Sequence, residues 1–239
     1  MSAPTILVTG AGRGIGLALV ETLALAGWQV LAGVRNPQSS PALEDLVARP
    51  KSGRIDVLSF DVRQDMAVEE ALEAAKMKIS ALDVLLNNAG VFPEEGNETL
   101  EELPLKFFEE AFAVNVVGVA RVTRAFLPLL ERADHPRVVN LSSLAGSIST
   151  KDDGKHYCYS ASKAALNMLT RTMSAELRPR GITVVSVTPG WVKTEMGGPR
   201  APLCVAESAE SLTGMLEGLS PEDSGHFLDR HGRRGVPPW

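Results

Sequence analysis

The stretch "TILVTGAGRGIGLALVETLALAG" (residues 5–27) decides the fold. Its opening, "TILVTG" (5–10), is apolar and rich in β-branched residues, the mark of a strand buried on both faces of a parallel sheet. Its close, "GIGLALVETLALAG" (14–27), has the apolar spacing of a helix. Between them lies a turn in which Gly10, Gly14 and Gly16 lack side chains, so the chain bends sharply and a ligand's pyrophosphate can approach the backbone. The following helix start, at Gly14, Ile15 and Gly16, offers unpaired N–H groups and the positive end of its dipole to such an anion. The spacing is G-x-x-x-G-x-G, not the commoner G-x-G-x-x-G, and a tight turn without a ligand has the same appearance. Its place as the first strand-to-helix turn of an alternating chain favours binding.

The alternation continues outward. Further apolar runs read as strands: "WQVLAGV" (28–34), "IDVLSF" (55–60), "LDVLLNN" (82–88), "RVVNLSS" (137–143) and "TVVSVTPG" (183–190), with "SGHFLD" (224–229) as a last one. Helical spacing falls at 65–79, 104–133 and 159–181. Right-handed crossovers then give an α/β, doubly wound, Rossmann-type domain of three layers spanning 1–239, a parallel sheet of about seven strands with helices on both faces. The Gly- and Pro-rich stretch from Trp191 to about Ser211 reads as a mobile lid over the sheet's C-terminal edge, where open α/β sheets bind ligands.

Composition narrows the function. With 44% hydrophobic and 22% charged residues, the 239-residue chain has the make-up of an ordinary globular protein. A net charge of −5 supplies no basic footprint for nucleic acid or an anionic membrane. Cys158 and Cys204 are too few for a disulfide framework, the N-terminus lacks the parts of a signal peptide, and no apolar run approaches 18 residues. The expected compartment is the cytoplasm, without membrane or nucleic-acid partners.

Charge also bears on the cofactor. A dinucleotide without a 2′-phosphate is usually held by an acid at the end of the second strand, but "AGVRNP" (32–37) has none there. Arg35 stands in its place, and Arg13 in the glycine turn supplies a second cation suited to phosphate. Together they favour NADP(H) over NAD(H).

The chain's only two tyrosines lie in "HYCYSASKAAL" (156–166). On a helix, Tyr159 and Lys163 fall about 40° apart on one face, whereas Tyr157 falls about 120° from the lysine. If this stretch does chemistry, geometry selects Tyr159, because an adjacent ammonium favours the phenolate.

"TGAGRGIG" (9–16), "NNAG" (87–90), Asn115 in "VNVVG", "NLSS" (140–143), Tyr159-x-x-x-Lys163 and "PGWVKT" (189–194) resemble, in order and spacing, the short-chain dehydrogenase/reductase family. The ending "DSGHFLDRHGRRGVPPW" (223–239) resembles its branch of Sniffer-type carbonyl reductases and C-factor-like proteins. The resemblance implies an NADP-dependent reduction of an aldehyde or ketone to an alcohol. Tyr159 would be the general acid, Lys163 would lower its pKa and bond the nicotinamide ribose, and Ser143 would donate to the substrate oxygen. Asn115 would hold a water linking Lys163 to solvent. By the same resemblance Asp61, with Val62 after it, would contact adenine, although Asp61 is equally a turn former. Asn88, Ala89 and Gly90 would pass along the cofactor ribose, and the loop of Pro189, Gly190, Val192 and Thr194 would orient the carboxamide.

Ser143 and Tyr159 stand 16 residues apart, farther than is usual in the family, with "STKDDGKHYC" (149–158) inserted between them. Longer loops cost little to close, and the insertion reshapes one wall of the substrate pocket. Ser142 is the neighbouring alternative, but adjacent strand residues face opposite ways, and Ser143 is preferred. Tyr157 reads as a packing residue under the insertion, and Cys158 as a small buried residue without a reactive thiol. Alternative functions are a dinucleotide-bound signalling protein of C-factor type and a β-ketoacyl-type reductase, for which Arg171, Arg178 and Arg180 are candidate contacts to an acidic carrier. Pairing through the helices at about 104–131 and 157–179 would make a homodimer or homotetramer.

Overall fold

The computed structural model describes residues 3–49, 53–95, 98–236 and 238–239. Pro237, in the C-terminal stretch quoted above, and the first two residues lie outside them. Seven strands, β1 (Thr5–Thr9), β2 (Gln29–Val34), β3 (Arg54–Ser59), β4 (Val84–Asn87), β5 (Arg137–Leu141), β6 (Thr183–Val187) and β7 (Phe227–Leu228), form one sheet in the order β3-β2-β1-β4-β5-β6-β7. Every pairing is parallel. The order reverses direction between β1 and β4, the switch point at which such sheets open a crevice.

Side chains alternate across the sheet, and both faces are apolar, as the near-continuous runs predict. Ile6, Val8, Val30, Val84, Val139 and Val185 pack towards α1 (Gly14–Leu25), α2 (Pro41–Ala48) and α7 (Val205–Gly218). Leu7, Leu31, Leu85, Val138 and Val184 pack towards α3 (Asp65–Lys76), α5 (Val119–Leu130) and α6 (Tyr157–Leu177). A one-residue slip of any strand would exchange these two sets, so burial pins the register.

Four differences from the sequence reading have local causes. The helix at 104–133 is α4 (Lys106–Phe112) and α5 joined by a π-helical turn, Ala113–Gly118. The combined rod, Lys106–Leu130, is 25 residues long and apolar enough by composition to cross a membrane, although its sequence contains no long uninterrupted apolar run. Its apolar stripe of Val119, Val122, Phe126, Leu129 and Leu130 is spent on the core, and Arg121 pairs with Asp65 of α3, so it serves here as a core helix. The helix expected from 159 begins at Tyr157. The short α2 is additional, started by Pro41 at its first position. The irregular stretch expected to run to about Ser211 ends at Cys204, because Cys204 and Glu207 form a capping box that starts α7 at Val205: the Glu207 N–H donates to Cys204 Sγ, and the Cys204 N–H donates to Glu207 Oε2.

Beneath the C-terminal edge lies a buried polar layer. Asn87 Nδ2 donates to Thr123 Oγ1 (3.1 Å) and Asn140 Oδ1 (2.9 Å), and Asn140 Nδ2 donates to Thr170 Oγ1 (2.9 Å). These bonds tie β4 and β5 to α5 and α6, and each leaves an unpaired group if a partner is lost. Asn140→Leu is expected to destabilise the fold by about 1–3 kcal/mol in denaturant unfolding. An unchanged midpoint would show that the layer contributes nothing.

Candidate active site

The glycine turn is closed by contact with the end of β4. Gly10 has φ +67°, and a Cβ there would meet Ala89 Cα at 2.8 Å. A Cβ on Gly16 would lie 2.3 Å from the Gly10 carbonyl oxygen and 2.5 Å from Asn88 Nδ2. Thr9 Oγ1 accepts from the Asn88 and Ala89 N–H groups (3.0 Å each), and Asn88 Nδ2 donates to Thr9 O (2.7 Å) and Gly10 O (3.1 Å). The turn and the "NNAG" segment are therefore one rigid piece. Helix α1 follows at Gly14, with Arg13 as an N-cap that makes no side-chain cap and no acid in its first turn. Ile15 anchors this start in the core.

The cations and the acid around the turn are arranged less simply than their spacing suggests. Arg13 is exposed and ion-paired with Glu195 of the loop after β6. That loop approaches the turn at a second point, where a Cβ on Gly14 would touch Thr194 Cγ2 at 3.5 Å. Arg35 is exposed just past β2, and its charge helps to hold the Asp61 carboxyl below its ordinary range. The larger cause is Arg63, whose guanidinium binds the Asp61 carboxylate at 2.7 Å and whose N–H adds a bond at 2.9 Å. The turn-forming use of Asp61 thus occupies its side chain. Val62 packs at Gly118, and its carbonyl accepts from Arg121 Nη1 (2.8 Å).

At the adjoining ends of β5 and β6, the two serines part as the strand pleat requires. Ser142 is buried and donates to Asn167 Oδ1 (2.7 Å), which also accepts from Ser186 (2.7 Å). Ser143 is half-buried, its Oγ accepts from the Ala145 N–H (3.2 Å), and it lies near enough to Tyr159 to favour the phenolate. Lys163 is buried one turn along α6, its Nζ 5.6 Å from the Tyr159 ring centre. A Cβ on Gly90 would come within 3.3 Å of Asn115 Oδ1 and 3.7 Å of Lys163 Nζ, which brings the cofactor-type segment, Asn115 and Lys163 together. Asn115 lies in the π turn, where its side chain accepts from the Val91 N–H (2.9 Å) and donates to Val91 O and Ser162 Oγ (3.0 Å each). Its amide is thus a clamp on the 90–91 segment. The Pro189–Thr194 loop is held by Ser208 Oγ on Pro189 O (2.9 Å), by φ +84° at Gly190, and by a bridge from Val192 to Leu203.

Burial dominates the electrostatics of the pair. It raises the Tyr159 pKa, and the Ser143 hydroxyl opposes that rise. The Lys163 ammonium donates to Leu141 O (2.8 Å), and burial lowers its own pKa to about 8. The phenol is therefore kept protonated, as a proton donor requires.

The structure also separates the neighbours. Tyr157 packs beside Leu103, Phe107 and Phe108, with its hydroxyl under Gly154 of the insertion. Cys158 is buried, its thiol pushed up to about 12 by burial and then by Glu94. Reading the sequence missed two residues here. Phe92 stands edge-on to the rings of Tyr159 (5.0 Å) and His156 (5.1 Å), and Glu94 is buried against the first turn of α6. In "VFPEE" (91–95) Glu94 looks like a solvated loop acid, and nothing local to it announces otherwise.

Because the Lys163 pKa is lower folded than unfolded, its proton is held by the unfolded chain alone between about pH 8 and the ordinary lysine value of 10.5. More protons on the unfolded state means that stability rises with pH in that window. Relative to Lys163→Met, the wild type is expected to gain up to about 3 kcal/mol in unfolding free energy from pH 8 to 10.5. A difference that stays flat with pH would contradict the assignment.

Comparison with known proteins agrees with this geometry. A short chain dehydrogenase profile matches residues 4–202. Over its whole length the chain superposes on an NADPH-bound carbonyl reductase from chicken fatty liver (TM-score 0.90, 34% identity, all of both chains covered). It superposes equally on the carbonyl reductase Sniffer of D. melanogaster (TM-score 0.90, 32% identity, all of both chains covered). It is 42% identical over 158 residues to the C-signal of Myxococcus xanthus, covering 66% of this chain and 93% of that protein. With its sheet order, its glycine turn and the cluster at the ends of β5 and α6, the chain belongs to the short-chain dehydrogenase family.

Proposed function

We propose that this oxidoreductase reduces an aldehyde or ketone with NADPH, Tyr159 being the proton donor. The observation that carries the reading is the convergence of Ser143, Tyr159 and Lys163 at the sheet edge, beside a glycine turn too tight for side chains. The turn fits a dinucleotide: Gly10 and Gly16 have no room for a Cβ, and the first turn of α1 lacks both a side-chain cap and an acid, which leaves its N–H groups for a phosphate. Gly10, Arg13, Gly14, Ile15 and Gly16 would hold the pyrophosphate side, Arg35 a 2′-phosphate, Asp61 and Val62 the adenine, and Asn88 to Gly90 with Pro189 to Thr194 the nicotinamide side. When bound, a reduced nicotinamide supplies hydride to the carbonyl carbon.

The chain's own residues supply the remainder. Ser143 donates a hydrogen bond to the carbonyl oxygen, and Tyr159 gives that oxygen its proton as negative charge develops there. Lys163 holds a cation close to the phenolate left behind, and by stabilising it makes the phenol a better proton donor than burial alone would leave it. Asn115 spends both amide hydrogens on Val91 and Ser162 and one lone pair of Oδ1 on the Val91 N–H, which leaves the second lone pair of Oδ1 for a water that would resupply the proton. Residues 191–204, tied to the glycine turn by the Glu195–Arg13 pair, act as the lid. Arg13 exchanges Glu195 for a cofactor phosphate. The protein works as a homodimer or homotetramer in the cytoplasm.

The likeness to the C-signal favours a second reading, a dinucleotide-bound signalling protein in which turnover is incidental. A β-ketoacyl substrate on a carrier is less well supported, since Arg180 is paired with Glu131, and Arg171 and Arg178 bond backbone carbonyls.

Following NADPH absorbance over a panel of aldehydes, ketones and β-ketoesters separates these. Tyr159→Phe is expected to lower kcat about 10²- to 10⁴-fold, while Tyr157→Phe stays close to wild type. NADPH binding without turnover on any substrate would favour signalling. Removing the Arg35 guanidinium (Arg35→Ala) is expected to weaken NADPH binding about tenfold while leaving NADH binding unchanged; equal losses for both would overturn the 2′-phosphate role. Light scattering that gave only monomer mass at micromolar protein would refute the assembly.

A further inference from the structure

Helix α6 carries Tyr159 in its first turn, yet its own cap position is unsuited to holding that turn. His156 sits there at φ 58°, ψ 47°, in the left-handed region, and its side chain makes no cap bond. A helix start needs partners for its free N–H groups, and this one finds them in another segment. Glu94, only 4% exposed, places Oε2 2.9 Å from the Cys158 nitrogen and Oε1 2.9 Å from the Tyr159 nitrogen, accepting from both N–H groups. The Cys158 thiol lies close to it, and the carboxylate adds to burial in pushing that thiol's pKa up. No Lys, Arg or His pairs with Glu94 among the described residues, so its charge is answered by these donors and the positive end of the helix dipole.

The segment that bears Glu94 is itself pinned twice upstream. Asn88 is bonded to Thr9 and Gly10 of the glycine turn, and Val91 is clamped in both directions by Asn115. Phe92, between these points and Glu94, packs edge-on against the Tyr159 ring. One short run of chain therefore connects the glycine turn, Asn115 and the main-chain nitrogen of Tyr159.

We infer that Glu94 is a positioning residue for catalysis: its buried carboxylate, bonded to the N–H groups of Cys158 and Tyr159, sets the phenol in register with the segment along which the cofactor ribose passes. The inference rests on Tyr159 as proton donor. Proton transfer demands close placement, and displacing a catalytic group by about 1 Å costs up to about a hundredfold in rate. Binding of the dinucleotide, made by other residues, should be untouched.

The test compares Glu94→Gln, Glu94→Ala and Tyr159→Phe in the full-length protein, reading kcat, the NADPH dissociation constant, and amide hydrogen exchange at residues 158 and 159. Glu94→Gln keeps the volume and one acceptor oxygen but turns an NH2 group towards a backbone donor. The expected result is a kcat about tenfold lower in Glu94→Gln and lower again in Glu94→Ala, with NADPH affinity unchanged and exchange accelerated at residues 158 and 159 only. Wild-type kcat in the Glu94 variants beside an inactive Tyr159→Phe would overturn the inference alone. Loss of NADPH affinity in parallel with kcat, or of protection along all of α6, would overturn it too, by reducing Glu94 to a stability role. A fully active Tyr159→Phe would remove the reading beneath it. Should Glu94→Ala fail to fold, Glu94→Gln decides on the same readouts.

Discussion

Everything at the site depends on the close approach of two backbones, the turn after β1 and the end of β4. Gly10 and Gly16 permit an approach that any Cβ would block, and Thr9 and Asn88 lock it with four hydrogen bonds. Once these pieces are joined, the start of α1 and the segment running to Gly90 have fixed relative positions. Parallel pairing of β4 with β5 and of β5 with β6 then places Ser143 and the Pro189 loop on the same edge. The crevice is thus a product of sheet topology, and its chemistry is a product of which side chains happen to end those strands.

Burial sets the ionisation of the groups gathered at this edge of the sheet. Tyr159 stays neutral because burial penalises the phenolate more than Ser143 favours it. Lys163 is held near the point of losing its proton, so its charge responds to what binds beside it. A buried cation is costly, and the carbonyl of Leu141 offsets only part of that cost. Such a group, destabilising in the folded protein, is kept at functional sites more readily than elsewhere. The carboxylate of Glu94 is the opposite case, a buried charge satisfied by backbone donors and a helix dipole.

Much of this architecture was legible before any coordinates. Strand runs with two apolar faces, an uncapped glycine turn and a Tyr159–Lys163 pair four residues apart are all short-range patterns, each tied to a fixed periodicity of 2 or 3.6 residues. That Ser142 and Ser143 face opposite ways followed from strand pleating, and Ser142 is the one buried against Asn167. Where reading failed, a local rule had two outcomes. A cysteine does the capping usually given to serine, which starts α7 sooner than its Gly- and Pro-rich approach suggests.

The sequence by itself determined the parallel sheet, the place of the glycine turn and which tyrosine shares a helix face with Lys163, because each is set by residues within a few positions of one another. The tertiary structure alone decided the direction of the Lys163 ammonium, the π turn that turns Asn115 into a clamp, the Arg13–Glu195 contact and the capture of α6 by Glu94. These contacts join residues 22 to 182 positions apart. Hydrogen bonds of that span have no periodicity to betray them, since they form only after packing has brought distant segments together and burial has made an unpaired polar group costly.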